Sequence, residues 1–192
     1  MSPEIRIGVV GHRFLLDIDR VRQGVNIALD YIQQQFPSRK YLVLASLAEG
    51  ADRLVAKEAL DRNMALVVPL PLPQNEYLED FRNEESQQQF HELLIRAQEI
   101  VRMRPQPTRE ESYEAAGEYV ITHCNVLLAI WDGRKAQGDG GTGWVVERAR
   151  NLGLPIAWIH AGNRASGTDL PTTLGDLQGS VSFEPDLRLR GK

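Results

Sequence analysis

Very little in this chain points to a membrane, a disulfide framework or a metal. No apolar run approaches the roughly 18 residues that a membrane span needs, and the start MSPEIRIGVV lacks the charged-then-apolar layout of a secretory leader. A single cysteine, Cys124, has no internal partner, which fits a reducing compartment, and the chain is expected in the cytoplasm. The four histidines (12, 91, 123, 160) and Cys124 show no metal-ligand spacing, so no metal site is expected. His123 and Cys124 are neighbours on one expected helix, where adjacent side chains diverge by about 100°, so the two do not form a dyad. The formal charge of −4 and the absence of a basic run argue against an extended nucleic-acid surface. There is no G-x-G-x-x-G after the first apolar run, no Walker A lysine motif and no G-x-S-x-G elbow.

What is present is an ordinary soluble composition, 42% hydrophobic and 25% charged over 192 residues, enough for one domain with a good-sized core. Short apolar runs at 5–12 (IRIGVVGH), 41–46 (YLVLAS), 65–72 (ALVVPLPL), 125–132 (NVLLAIWD) and 155–160 (PIAWIH) predict strands. They alternate little, as parallel strands covered on both faces do, and 126–131 is expected to be the most buried. Helical periodicity fills the gaps: Val21, Val25, Ala28, Leu29 and Ile32; Leu54, Val55 and Ala59; Tyr113, Ala116, Gly117, Val120 and Cys124; Val145, Ala149 and Leu152. The alternation predicts an α/β fold: a Rossmann-like, open, mainly parallel sheet of five to seven strands with helices on both faces. Residues 74–105 break the rhythm and predict a polar helix or helix pair, with a short strand near Ile100–Met103, read as an insertion or interaction arm. The domain is expected to span 1–165, followed at 166–192 by loop and tail with one short strand at Val181–Phe183.

In an open α/β sheet, ligands sit beyond the carboxyl ends of the strands. Three such ends carry unusual residues. In GVVGHR, Gly11 allows close backbone approach, and His12 and Arg13 are suited to an anion; a tight turn with solvated side chains is equally compatible. In SLAEGADRLVAKEAL, Ser46 ends a strand and Gly50 permits a turn. Ala51, Asp52 and Arg53 open a helix whose free N–H groups suit an anion, although Ser46 or Asp52 could simply cap it. In WDGRKAQGDGGTGWVVERAR, Gly138, Gly140, Gly141 and Gly143 leave little bulk around Thr142, so backbone amides there can cradle a phosphate or carboxylate. Asp132 would face the same crevice. A plain turn does not need so many glycines, which favours ligand binding over a flexible loop with Thr142 as cap. Trp131, Trp144 and Trp158 read as packing residues, with Trp144 placed where it could cover a base.

Together GVVGHR, SLAEGADRLVAKEAL, PLPLPQNEYLEDF and CNVLLAIWDGRKAQGDGGTGWVVERAR resemble the SLOG superfamily, which includes the Rossmann-like domain of DNA-processing protein A and the Lonely Guy phosphoribohydrolases. The match spans about residues 5–160 and implies a nucleotide or nucleotide-derived ligand held by the loops at 46–53 and 140–142. Against the Lonely Guy pattern P-G-G-x-G-T-x-x-E, Thr142 here follows Gly141 directly, Glu147 lies five residues on, and the nearest upstream arginine is Arg109. The same segment is similar to nucleoside 2-deoxyribosyltransferases in Asp132, Asp139, Thr142 and Glu147, which implies carboxylate chemistry at an anomeric carbon. Asp132, Glu49 and Glu147 are the candidate catalytic carboxylates.

Three functions stay open on these grounds. One is a nucleotide-binding sensor or regulatory module; another is an N-glycosidic-bond hydrolase or transferase at the same site. The last is an interaction scaffold that self-associates, as a homodimer, through 76–104. No cofactor is identified from the residues.

Overall fold

The structure is a computed structural model that describes residues 4–135, 141–165 and 167–185. Seven strands form one sheet in the order β4-β3-β2-β1-β5-β6-β7. They are β1 Glu4–Gly11, β2 Lys40–Leu44, β3 Ala65–Leu70, β4 Glu99–Arg102, β5 Val126–Trp131, β6 Ile156–His160 and β7 Val181–Glu184. All neighbours are parallel except β6 and β7, which pair antiparallel. The helices are α1 Ile18–Gln35, α2 Ala51–Asp61, α3 Gln74–Leu78, α4 Glu84–Leu94, α5 Arg109–His123 and α6 Thr142–Asn151.

Each inner strand divides its side chains between two apolar layers, which is why the runs look continuous rather than alternating. Ile7, Val9, Val43 and Leu128 face α1, α2 and α4, meeting Val25, Leu29, Val55, Ala59 and Phe90. Val10, Leu42, Leu44, Leu127 and Ala129 face α5 and α6, meeting Val120, Ile121, Val145 and Ala149. All six side chains of β5 are buried, as the VLLAIW run predicts. Gly8 lets α5 lie close on β1, because a Cβ there would come within 2.7 Å of Val120 and 2.8 Å of the Cys124 sulfur. That packing buries Cys124 and pushes its thiol up to about 12, so it is unreactive near neutrality.

Residues 74–102 are a helix pair followed by a strand, and they form the β3-to-β4 crossover. Tyr77, Phe81 and Phe90 are buried there with ring centroids 5.1 to 5.8 Å apart, an aromatic cluster hidden in a sequence dominated by Glu and Gln. Residues 167–185 are likewise part of the same body. Buried Gln178 accepts from the Gly162 amide at 2.9 Å and donates to the Leu16 carbonyl at 2.8 Å, fastening the C-terminal loop to the start of α1. Among the described residues no helix is long and apolar enough to cross a membrane.

Candidate functional site

From β1 the chain steps outward through β2, β3 and β4, then returns by α5 to lay β5 on the other side of β1. The chain therefore leaves the carboxyl ends of β1 and β5 toward opposite faces of the sheet, α1 on one and α6 on the other, the position where open α/β sheets hold ligands. A hollow of about 600 Å³ opens there. Its floor is Gly11, His12, Trp131 and Asp132; Ser46 and Asp52 form one wall, Tyr113, Ala116 and Gly117 another, and Gly141, Thr142, Asn163 and Arg164 the rim.

Gly11 is set by crowding: a Cβ would lie 2.4 Å from that of Ala51 and 2.8 Å from the Ile130 carbonyl oxygen. The His12 ring is buried beside Asp132, with Nε2 3.1 Å from the Asp132 amide and 3.3 Å from its Oδ1. Burial lowers the His12 pKa more than the neighbouring carboxylate raises it. The imidazole is accordingly neutral at pH 7, with Nε2 accepting from the Asp132 N–H and the proton on Nδ1. The Asp132 carboxylate in turn accepts from the Arg134 amide at 3.0 Å, which folds Gly133 and Arg134 into a tight turn beside the hollow.

The first turn of α2 is partly engaged within the chain. The Ala51 N–H donates to the His12 carbonyl at 3.1 Å, and Gly50 adopts φ +78° with the His12 and Arg13 carbonyls packed against it. Asp52, in the first turn, turns its carboxylate back to accept from the Ala48 amide at 3.3 Å. Burial pushes Asp52 up to about 7, against the lowering effect of the Ala48 amide and of Arg13 and Arg53. At the start of α6 Gly141 is the N-cap, and among the described residues no side chain caps the helix and a Cβ on Gly141 would meet nothing within 4 Å. Thr142 is thus the first helical residue and not the cap. Gly138 and Gly140 lie outside the described residues.

No family model and no curated protein matches the chain. Solved structures do. DNA processing protein A (DprA) from Streptococcus pneumoniae aligns over 86% of this chain with a TM-score of 0.53 and 16% identity. This chain covers 53% of that protein, about half its length. TM1055, a structural genomics target, aligns over 79% of this chain and 72% of its own, with a TM-score of 0.49 and 16% identity. The likeness to the first of these shows a Rossmann-like α/β fold.

Within this fold the sequence-predicted residues separate into groups. Gly11, His12, Arg13, Ser46, Asp52, Asp132, Gly141 and Thr142 all line the switch-point hollow. Glu49, Gly50 and Arg53 line a second hollow on the other side of the Arg13 side chain, which borders both. Ala51 lines neither: its side chain is buried against Gly11. Glu147 is exposed on α6, and the hollow is not lined by it. Glu49 is already engaged: its Oε1 accepts from the Ser86 hydroxyl and, at 3.2 Å, from the Arg82 amide, and its Oε2 pairs with Arg82 at 3.3 Å. These bonds hold its pKa below the ordinary value although burial acts the other way.

Sequence reasoning missed the cluster that holds Arg13. Its guanidinium lies 3.6 Å from Asp80 and 5.7 Å from the centre of the Tyr113 ring; the Tyr113 hydroxyl donates to Asp80, and Arg109 pairs with Asp80 at 2.7 Å. Arg109 therefore serves Asp80 and does not face the hollow. Tyr113 stood on the periodic face of α5 and gave a trace of this; Asp80, in a charged crossover, gave none. Phe14, whose ring lies 5.1 Å from Arg164, was also unmarked. Among the described residues no group of His, Cys, Asp or Glu could hold a metal ion.

Proposed function

We propose that the chain binds a nucleotide or nucleotide-derived small molecule in the switch-point hollow, as a sensor or regulatory module. One observation carries this reading. In a chain of net charge −4 the hollow is lined, among the described residues, by Arg13, Arg134, Lys135 and Arg164 and by the carboxyls of Asp52 and Asp132, with Asp80 beside Arg13 and Asp169 beside Arg164. Such a concentration of cations in a concave site attracts phosphate. The uncapped start of α6 supplies backbone donors and the positive end of a helix dipole on the same rim. Asp132 and neutral His12 are placed to bond a sugar hydroxyl or base edge, and Phe14 and Tyr113 offer ring faces.

A panel of nucleotides in a thermal-shift assay tests the reading. At about 100-fold excess over Kd a true ligand raises the midpoint by about 5 °C or more. A flat response to every nucleotide counts it out.

A second reading, N-glycosidic-bond hydrolysis or transfer, draws on Asp52. Its carboxyl lines the hollow and, at about 7, exchanges a proton near neutrality, the range in which a general acid–base group works. Of the three carboxylates proposed from sequence only Asp132 lies in this hollow, so Asp132 and Asp52 form the pair to test. Chromatography for released free base decides: base release that Asp132→Asn and Asp52→Asn abolish supports an enzyme, and no release leaves a binding module.

A further inference from the structure

The second hollow, about 360 Å³, lies between the β1–α1 loop, the start of α2 and the first turn of α4. Its inner wall is Arg53, which is only 8% exposed. The Arg53 Nε donates to the Leu47 carbonyl at 3.0 Å, and its Nη1 lies 2.8 Å from both the carbonyl and the hydroxyl oxygen of Ser86. One flat face of the guanidinium is covered by Phe81, 4.3 Å from the ring centre. The remaining nitrogen, Nη2, is buried and has no acceptor among the described residues. Nor does any described carboxylate form an ion pair with Arg53; Glu49 and Asp52 act on it only at longer range.

A charged donor left buried and unbonded costs stability, and native chains rarely keep one without a use. The surroundings suit a small acid. Arg82, 59% exposed at the rim, uses only its backbone amide and Nε on Glu49. Arg13 forms the border with the first hollow, and Leu15, Ile18 and Leu54 give an apolar side. The wall also carries Glu49 and Glu85; Glu49 pairs with the Arg82 Nε and accepts from the Ser86 hydroxyl, while Glu85 is exposed. We propose that this hollow is a separate oxyanion site, binding a small acid through Arg53 and Arg82, with its short apolar body against Leu15, Ile18 and Leu54. The proposal does not depend on the nucleotide reading of the first hollow.

The test is a nitrogen-15 NMR titration of the full chain with butyrate and, separately, inorganic phosphate. At least one probe is expected to shift the Arg53 Nε–Hε signal and the Gly50, Asn83 and Ser86 amides saturably; which one does so separates an organic acid from free phosphate. Arg82→Ala and Gln89→Trp, both at exposed rim positions, should each weaken that probe about tenfold or more. Three results overturn the proposal: no shift at these residues with either probe, shifts confined to Gly141, Thr142 and Arg164, or affinity undiminished in either variant.

Discussion

Helices α2 and α6 both begin at the carboxyl edge of the sheet, both after a glycine, and both look from their sequences like anion sites. They differ in what the rest of the chain does at their first turns. At α2 the His12 carbonyl takes the Ala51 amide, and Asp52 fills the space in front. At α6 the first turn holds no acidic residue, and no described residue caps the helix or fills the space beside Gly141. A helix N-terminus is an anion site only where the fold leaves its donors unspent.

The sharpest way to break the comparison is Gly50→Ala. With φ at +78° and a Cβ 2.4 Å from the Arg13 carbonyl oxygen, it is expected to cost about 3–5 kcal/mol, read by chemical denaturation. A loss below about 1 kcal/mol would mean that the α2 end is not closed as described.

Next in size is the pH response of Asp52. Its folded pKa of about 7 is raised above the ordinary 3.8, so the native state holds a proton that the unfolded chain releases between these values. The resulting stabilisation is present at low pH and is lost as pH rises through about 7. Between pH 5 and 8 the contribution falls by about 2 kcal/mol, and Asp52→Asn should remove that slope. A slope unchanged in the variant would assign it to another group.

Arg164→Ala comes third. It removes one rim cation, half exposed and paired with exposed Asp169, and should weaken whichever nucleotide the thermal panel finds by about tenfold with little change in stability. Unchanged affinity would move the phosphate away from this rim. Smallest is Gly141→Ala: φ is −82° and nothing lies within 4 Å of the added Cβ, so stability should stay within about 0.5 kcal/mol. The contrast between Gly50 and Gly141 then measures directly how closed one helix end is and how open the other.

Much of the fold was legible because it rests on local signals. Five strands lie within two residues of the apolar runs that predict them, since a strand buried on both faces must be apolar throughout. The crossover at 74–102 was harder. Tyr77, Phe81 and Phe90 anchor it to the core, but they are separated by polar residues and by a break between α3 and α4, so no single period shows them. In the site, the strand-end residues were legible for the same reason as the strands. The Asp80–Tyr113–Arg13 cluster was not, because its members come from three elements far apart in sequence.

The sequence by itself determined the mainly parallel sheet, the strand ends that border the hollow and the residues that line its edge, all consequences of hydrophobic period and glycine placement. Tertiary structure alone decided how those residues divide. It put Glu49 and Arg53 behind Arg13 in a hollow of their own, turned Glu147 to solvent and closed α2 with the chain's own oxygens. Which way a side chain points once its helix has packed, and which donors are already spent, follows from contacts between distant segments, and no local pattern encodes them.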